Sequence, residues 1–183
     1  MDVTRDRNNG MDEIVREARD GRAEAFEALV QHYGSDMYRL AAAIVGPDDA
    51  RDVAQEAFVA AWRDLPRLRQ PERFEVWLRR IVVNRSRNAL RARKRRPSEP
   101  LEGMTIAETA SRTPDFREAV HSRQELDTAF AGLSADHRAA VVLHYGADLT
   151  IRDTAEAMGV AVGTAKSRLN AALGRMRAAM EGD

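Results

Sequence analysis

"TIRDTAEAMGVAVGTAKSRLNAAL", Thr150 to Leu173, holds two helical segments separated by a glycine. Thr150 with Asp153 three residues on resembles a capping box, with aspartate in place of the usual glutamate. It opens a short helix, Ile151 to Met158, that Gly159 ends. The helix that follows places Ala165, Leu169 and Ala172 on one inward face and points Asn170 outward. Short helix, glycine turn, longer helix is a helix-turn-helix layout. In that motif the second helix lies in the major groove, its N-terminal residues near base edges. Here those residues are Val162, Gly163, Thr164, Lys166 and Ser167. The small ones let backbone approach closely, Lys166 and Ser167 can donate, and the helix N-terminal amides can bind phosphate. From Val162 onward the cations are Lys166, Arg168, Arg175 and Arg177, with no acid before Glu181. The plainer alternative is a surface helix that closes a small bundle, its basic side merely solvated.

Outward from this motif the chain reads as all-α. A helix is expected over Asp115–Phe130, and Ser134 suits the N-cap of another that ends near Tyr145-Gly146. Upstream, Pro97 to Pro114 carries three prolines and several Ser and Thr without sustained periodicity. Such a length is too great for a loop inside a compact domain. The expected architecture is two small helical domains, 1–97 and 124–183, joined by a flexible linker at 98–123. In the first, residues 1–10 read as disordered. Phe26, Leu29, Val30, Tyr33, Met37, Leu40, Ala41, Ile44 and Val45 form an apolar stripe that Gly46-Pro47 breaks. Asp48 and Asp49 suit the start of a second helix, with a stripe of Val53, Ala57, Phe58, Ala61, Trp62 and Leu65. After a loop, Phe74, Trp77, Leu78, Ile81 and Val82 lead a helix into Arg96. Trp62 and Trp77 fall on apolar stripes and are expected in the core, with a cleft wall as the alternative for Trp77.

Composition narrows the function class. The 183 residues include 29 basic and 29 acidic groups, 44% apolar residues, 5% aromatics and no cysteine. Disulfides and thiolate ligands are excluded. No apolar run approaches the ~18 residues of a membrane span, and the polar N-terminus lacks a secretory signal, so a cytoplasmic protein without membrane insertion is expected. The histidines, His32, His121, His137 and His144, have no metal-ligand spacing. Phosphate-binding glycine loops, a nucleophile elbow and an acid–base carboxylate pair are all missing. Neither catalytic residues nor a metal or cofactor are expected; the chain reads as a binding protein.

Charge is sorted by segment. "NRSRNALRARKRR", Asn84 to Arg96, has seven basic residues and no acid. A helix of this density attracts phosphate in a salt-dependent way; a solvated domain end is the alternative. On the second helix, Asp48, Asp52, Gln55 and Glu56 share one side. That side is either an ordinary solvated face or a polar docking surface for a basic partner.

Three blocks together resemble a family. "DDARDVAQEAFVAAWRDL" (Asp48–Leu65), "RFEVWLRRIVVNRSRNALRARKRR" (Arg73–Arg96) and "LSADHRAAVVLHYGADLTIRDTAEAMGVAVGTAKSRL" (Leu133–Leu169) are similar, in order and spacing, to bacterial extracytoplasmic-function (ECF) sigma factors. The resemblance implies a protein that binds core RNA polymerase and directs it to promoter DNA. Its N-terminal domain would read and melt the −10 element, and its C-terminal domain would read the −35 element. Asp48, Asp52, Gln55 and Glu56 match the polymerase-docking block. Arg69, Phe74, Trp77, Asn84, Arg87, Asn88 and Arg91 fall in the −10 block, where a flipped base is held by stacking and edge contacts. Arg152, Thr164, Lys166, Ser167 and Asn170 fall to the −35 element. The chain departs from the family at Ala161, Ala165 and Ala171, and at Asn88, where many members have aspartate. An anti-sigma protein is a further implied partner, and a monomer is expected when free. The rival readings are a dimeric helix-turn-helix regulator that binds operators, and an adaptor that touches no nucleic acid.

Overall fold

A computed structural model describes residues 3–95 and 116–181, with side-chain surroundings for 10–95 and 124–181. Most of the expected flexible linker lies outside the described residues, and its described end, 116–123, is helical instead. Every regular element among those described is helical: α1 (Val3–Arg19), α2 (Ala23–Val45), α3 (Pro47–Asp64), α4 (Phe74–Arg95), α5 (Phe116–Ala131), α6 (Ala135–Val141), α7 (Ile151–Met158) and α8 (Val162–Glu181). Two departures from the sequence reading stand out. Helix α1 already runs at Val3, where disorder was expected, and α6 passes into a π-helical turn, Val142–Gly146, instead of continuing as one α-helix.

The break between α2 and α3 follows from two residues. Gly46 takes φ 97°, which a Cβ would resist, and its amide donates to the Ala42 carbonyl at 2.9 Å. Pro47 then begins α3, where a missing N–H costs nothing. The two helices fold back on each other and on α4. Leu29, Met37, Leu40 and Ile44 of α2 meet Val53, Ala57 and Ala61 of α3 and Leu78, Val82 and Val83 of α4 in one closed core. Removing such surface from water is the main stabilising term.

The C-terminal domain is built on its caps. The Asp153 amide donates to Thr150 Oγ1 at 3.1 Å, while the Thr150 hydroxyl donates back to Asp153 Oδ2 at 2.7 Å. Aspartate thus returns the bond to the hydroxyl, where a longer glutamate would reach the N-cap amide. At the other end Gly159 is left-handed (φ 66°, ψ 39°). The Gly159 amide donates to Glu156 O and the Val160 amide to Ala155 O, both at 3.0 Å, the paired closure of a Schellman motif. Helix α8 buries Ala165, Leu169, Ala172 and Met176, the inward face expected from spacing.

The two domains touch. Helix α7 packs on α4 and α6 packs on α2, so Ala139, Ala140, Leu143, Ala155 and Met158 join the N-terminal core. A second cluster, Phe130, Leu133, Ala172 and Met176, ties α5 to α8.

Thr150→Ala removes the cap of α7 and should cost about 1 kcal/mol. The thermal midpoint should fall by ~2–4 °C, as scanning calorimetry reads it, and Thr150→Ser should restore it.

Candidate functional site

The outer face of the helix-turn-helix is open. Arg152, Thr164, Lys166, Ser167 and Asn170 are all exposed, and no heavy atom lies within 4 Å of where a Gly163 Cβ would stand. Ser167 donates its hydroxyl to the Thr164 carbonyl at 3.0 Å, which keeps that side chain against the helix. Arg168, one residue on, points the other way: only 27% exposed, it reaches Asp136 at 2.9 Å.

Helix α4 divides the residues assigned to the −10 element. Arg69, before the helix, and Asn84, Asn88 and Arg91 on it are exposed. Arg80, Asn84, Arg87 and Arg91 follow one another at helical spacing along a single stripe. Phe74 is different. It is 1% exposed, its ring 5.5 Å from Tyr33 and 5.8 Å from Trp77, and it presents no face to a base. Burial, and then Glu75 nearby, pushes the Tyr33 hydroxyl up to about 12, so it stays a neutral core group. Trp77 is half-buried against the same core, as expected. Trp62 is not in the core. It is 39% exposed and leans on Phe26 at 4.8 Å, the two flanking a shallow apolar hollow of about 340 Å³ with Val59 and Gln55.

Asp48, Asp52, Gln55 and Glu56 lie exposed on α3. Asp48, Asp52 and Glu56 form one wall of a groove whose other wall is α4, with Arg85, Asn88 and Arg93. Glu56 stands 3.6 Å from Arg85, and Asp49 stands 3.4 Å from Arg93. The acidic face and the basic helix run side by side and partly neutralise each other. Gln55 stands apart from that groove, beside the apolar hollow.

The interface between domains is charged in a way the sequence did not announce. Arg73 Nη2 reaches Asp153 at 2.6 Å and Glu156 at 2.5 Å. Asp153 is held below the usual carboxylate range, first by the Thr150 hydroxyl and then by Arg73. Arg87 donates Nε to Asp136 and Nη1 to the Met158 carbonyl, each at 2.8 Å. Arg138 donates to the Ile44 carbonyl at 2.8 Å, closing the C-terminal turn of α2. Burial lowers the Arg138 pKa, and the bond to that carbonyl helps to make the buried cation tolerable. These partners lie 49 to 94 residues apart in sequence, so no local spacing could have paired them. Among the described residues, no three His, Asp or Glu side chains gather as a metal site, and no helix is long and apolar enough to cross a membrane.

Residues 29–96 match sigma-70 region 2, and residues 123–176 match sigma-70 region 4. The chain is 32% identical to the ECF RNA polymerase sigma-E factor of Haemophilus influenzae over 85% of its length and 87% of the relative. It is 34% identical to the ECF RNA polymerase sigma factor SigM of Mycobacterium tuberculosis over 85% of the chain and 77% of that relative. In fold it resembles the sigma factor RpoE from Bartonella quintana, solved with the anti-sigma factor NepR, at a TM-score of 0.71 and 23% identity over 88% of this chain and 99% of the other. With both regions in order on helices whose open faces carry the basic residues, the chain belongs to the ECF sigma factors of the sigma-70 family.

Proposed function

We propose that three faces of this chain share the work of a sigma factor. As a member of that family it binds core RNA polymerase and directs promoter-specific initiation through −10 and −35 elements. The observation that carries the residue assignment is the open, acid-free outer face of the helix-turn-helix. Lys166 and Ser167 there would reach base edges or phosphates of the −35 element, with Thr164 and Asn170 beside them and Arg152 on the backbone. The stripe of Asn84, Arg87 and Arg91, with Asn88 and the loop residue Arg69, would hold the unpaired −10 strand. Phe74 drops out as a stacking partner, because its ring is a core residue. Trp77 then stands as a support for that face.

On α3, Asp52 and Gln55 would meet the polymerase, with Asp48 and Glu56 flanking them. Glu56 already has an internal partner in Arg85, so it would contribute less. A protein of this kind works as a cytoplasmic binding module, monomeric when free, with no chemistry of its own. An anti-sigma partner, as named for the RpoE structure, would cover one or more of these faces.

Two outcomes test the assignment. Lys166→Ala with Ser167→Ala should leave core-polymerase binding intact and cut transcription from dependent promoters by roughly tenfold or more in a reconstituted assay, as losing one or two groove contacts implies. Unchanged choice of −35 sequence would remove these residues from the readout. Asp52→Ala with Gln55→Ala should weaken the titrated affinity for core polymerase by about tenfold while the isolated fold keeps its midpoint. An unchanged affinity would sink the docking face.

A further inference from the structure

Two arginines, one from each domain, converge on a single carboxylate. Arg87 on α4 donates Nε to Asp136 Oδ1 at 2.8 Å, and Arg168 on α8 meets Asp136 Oδ2 at 2.9 Å. Two guanidinium groups on the two oxygens of one anion is the arrangement with which arginines hold a phosphate. Arg91, Lys94 and Arg138 line the same cleft, so five cations share it with one acid, Asp136. Beside it, Arg73 of the N-terminal domain grips Asp153 and Glu156 of α7. Arg80 lies under Gly159, its Nε 3.5 Å from where a Cβ would stand.

We propose that Asp136 is a built-in phosphate substitute, and that with Glu156 it latches the two domains into a closed form that withholds Arg87 of α4 from nucleic acid. In the closed form Arg87 is spent on Asp136 and Met158, while Arg80, Asn84 and Arg91 stay exposed. The recognition face of α8 stays open. Closure therefore weakens contact with the −10 strand by withholding Arg87, and leaves contact with the −35 duplex.

The latch is poised to open. Arg87 Nη2 and Arg168 Nη1 make no hydrogen bond within the protein, so each guanidinium keeps a donor that closure does not use. The pairs that favour it are partly exposed, and salt weakens them. A run of nucleic-acid phosphates, or a polymerase that parts the domains, would offer the same guanidiniums more acceptors than one carboxylate supplies. This inference rests on the reading of α4 as the −10 face.

The chain has no cysteine, so Gln31→Cys on α2 and Ala178→Cys on α8, both exposed, accept a dye pair cleanly. Energy transfer in the full chain should fall on raising salt to about 0.5 M. It should fall at low salt in Asp136→Asn/Glu156→Gln. That variant should bind a single-stranded oligonucleotide of about a dozen nucleotides roughly tenfold more tightly than Glu24→Gln/Glu27→Gln, which removes the same charge far from the interface. Wild-type energy transfer in the latch variant would overturn the latch. Opening without a gain over the charge-matched control would overturn the withholding of Arg87. Neither arm contains polymerase, so each result is independent of the Asp52 and Lys166 assignments.

Discussion

Helix α4 carries three obligations at once, and the rest of the structure is arranged around that fact. Its 22 residues bury Phe74, Leu78, Val82 and Val83 against α2 and α3. A second stripe, Arg80, Asn84, Arg87 and Arg91, must stay polar for the proposed contact with an unpaired strand. A third edge, with Arg85 and Arg93, faces the acidic residues of α3. At 100° per residue Arg85 and Arg93 lie further along the side whose first turns form the core, opposite the second stripe. Any partner, including the chain's own second domain, must take one of these stripes.

That crowding explains a protein that is neutral overall and yet densely basic in places. The cations of α4 are matched first inside the molecule: Arg85 by Glu56, Arg93 by Asp49 and Arg87 by Asp136. Exposed pairs of this kind contribute little stability. They do lower the field that free phosphate sees, which weakens nucleic-acid binding by the isolated chain. A partner that draws the acidic residues of α3 away would raise the potential of α4 at the same moment. Docking and strand capture would then be coupled through charge, without any conformational relay.

Much of this was legible in the sequence because it is local. The Gly46-Pro47 break, the Thr150 cap, the Gly159 turn and the inward face of α8 each depend on residues within one or two turns of one another. The exposed faces of α3 and α8 follow from the same periodicity. What escaped the reading is non-local. Phe74 opens an apolar stripe and also follows a loop, and only the position of Tyr33 shows that its ring is spent on the core. Trp62 lies on an apolar stripe, yet that stripe continues past the edge of the bundle to Phe26 and Val59. The π-helical turn after α6 has no signature in residue type. The ion pairs between domains join positions with no sequence relation, and one of them recruits Asp136, which reads simply as a favourable first-turn acid.

Lys166 and Arg168 show how fine that division is. They stand two residues apart on one helix, which puts them nearly opposite in direction. Lys166 is free to meet DNA, whereas Arg168 is turned to Asp136. A count of basic residues in the recognition helix treats them as equal. Their energetics differ: Lys166 would meet a phosphate directly from water, but Arg168 would first give up a partner at 2.9 Å. The same holds for Arg91 and Arg87 on α4. In each domain one cation is available at once and one is held in reserve, and the reserve pair shares a single carboxylate. Releasing either arginine leaves the whole carboxylate charge of Asp136 to the other. The two faces proposed to meet DNA are thus linked through one side chain, Asp136.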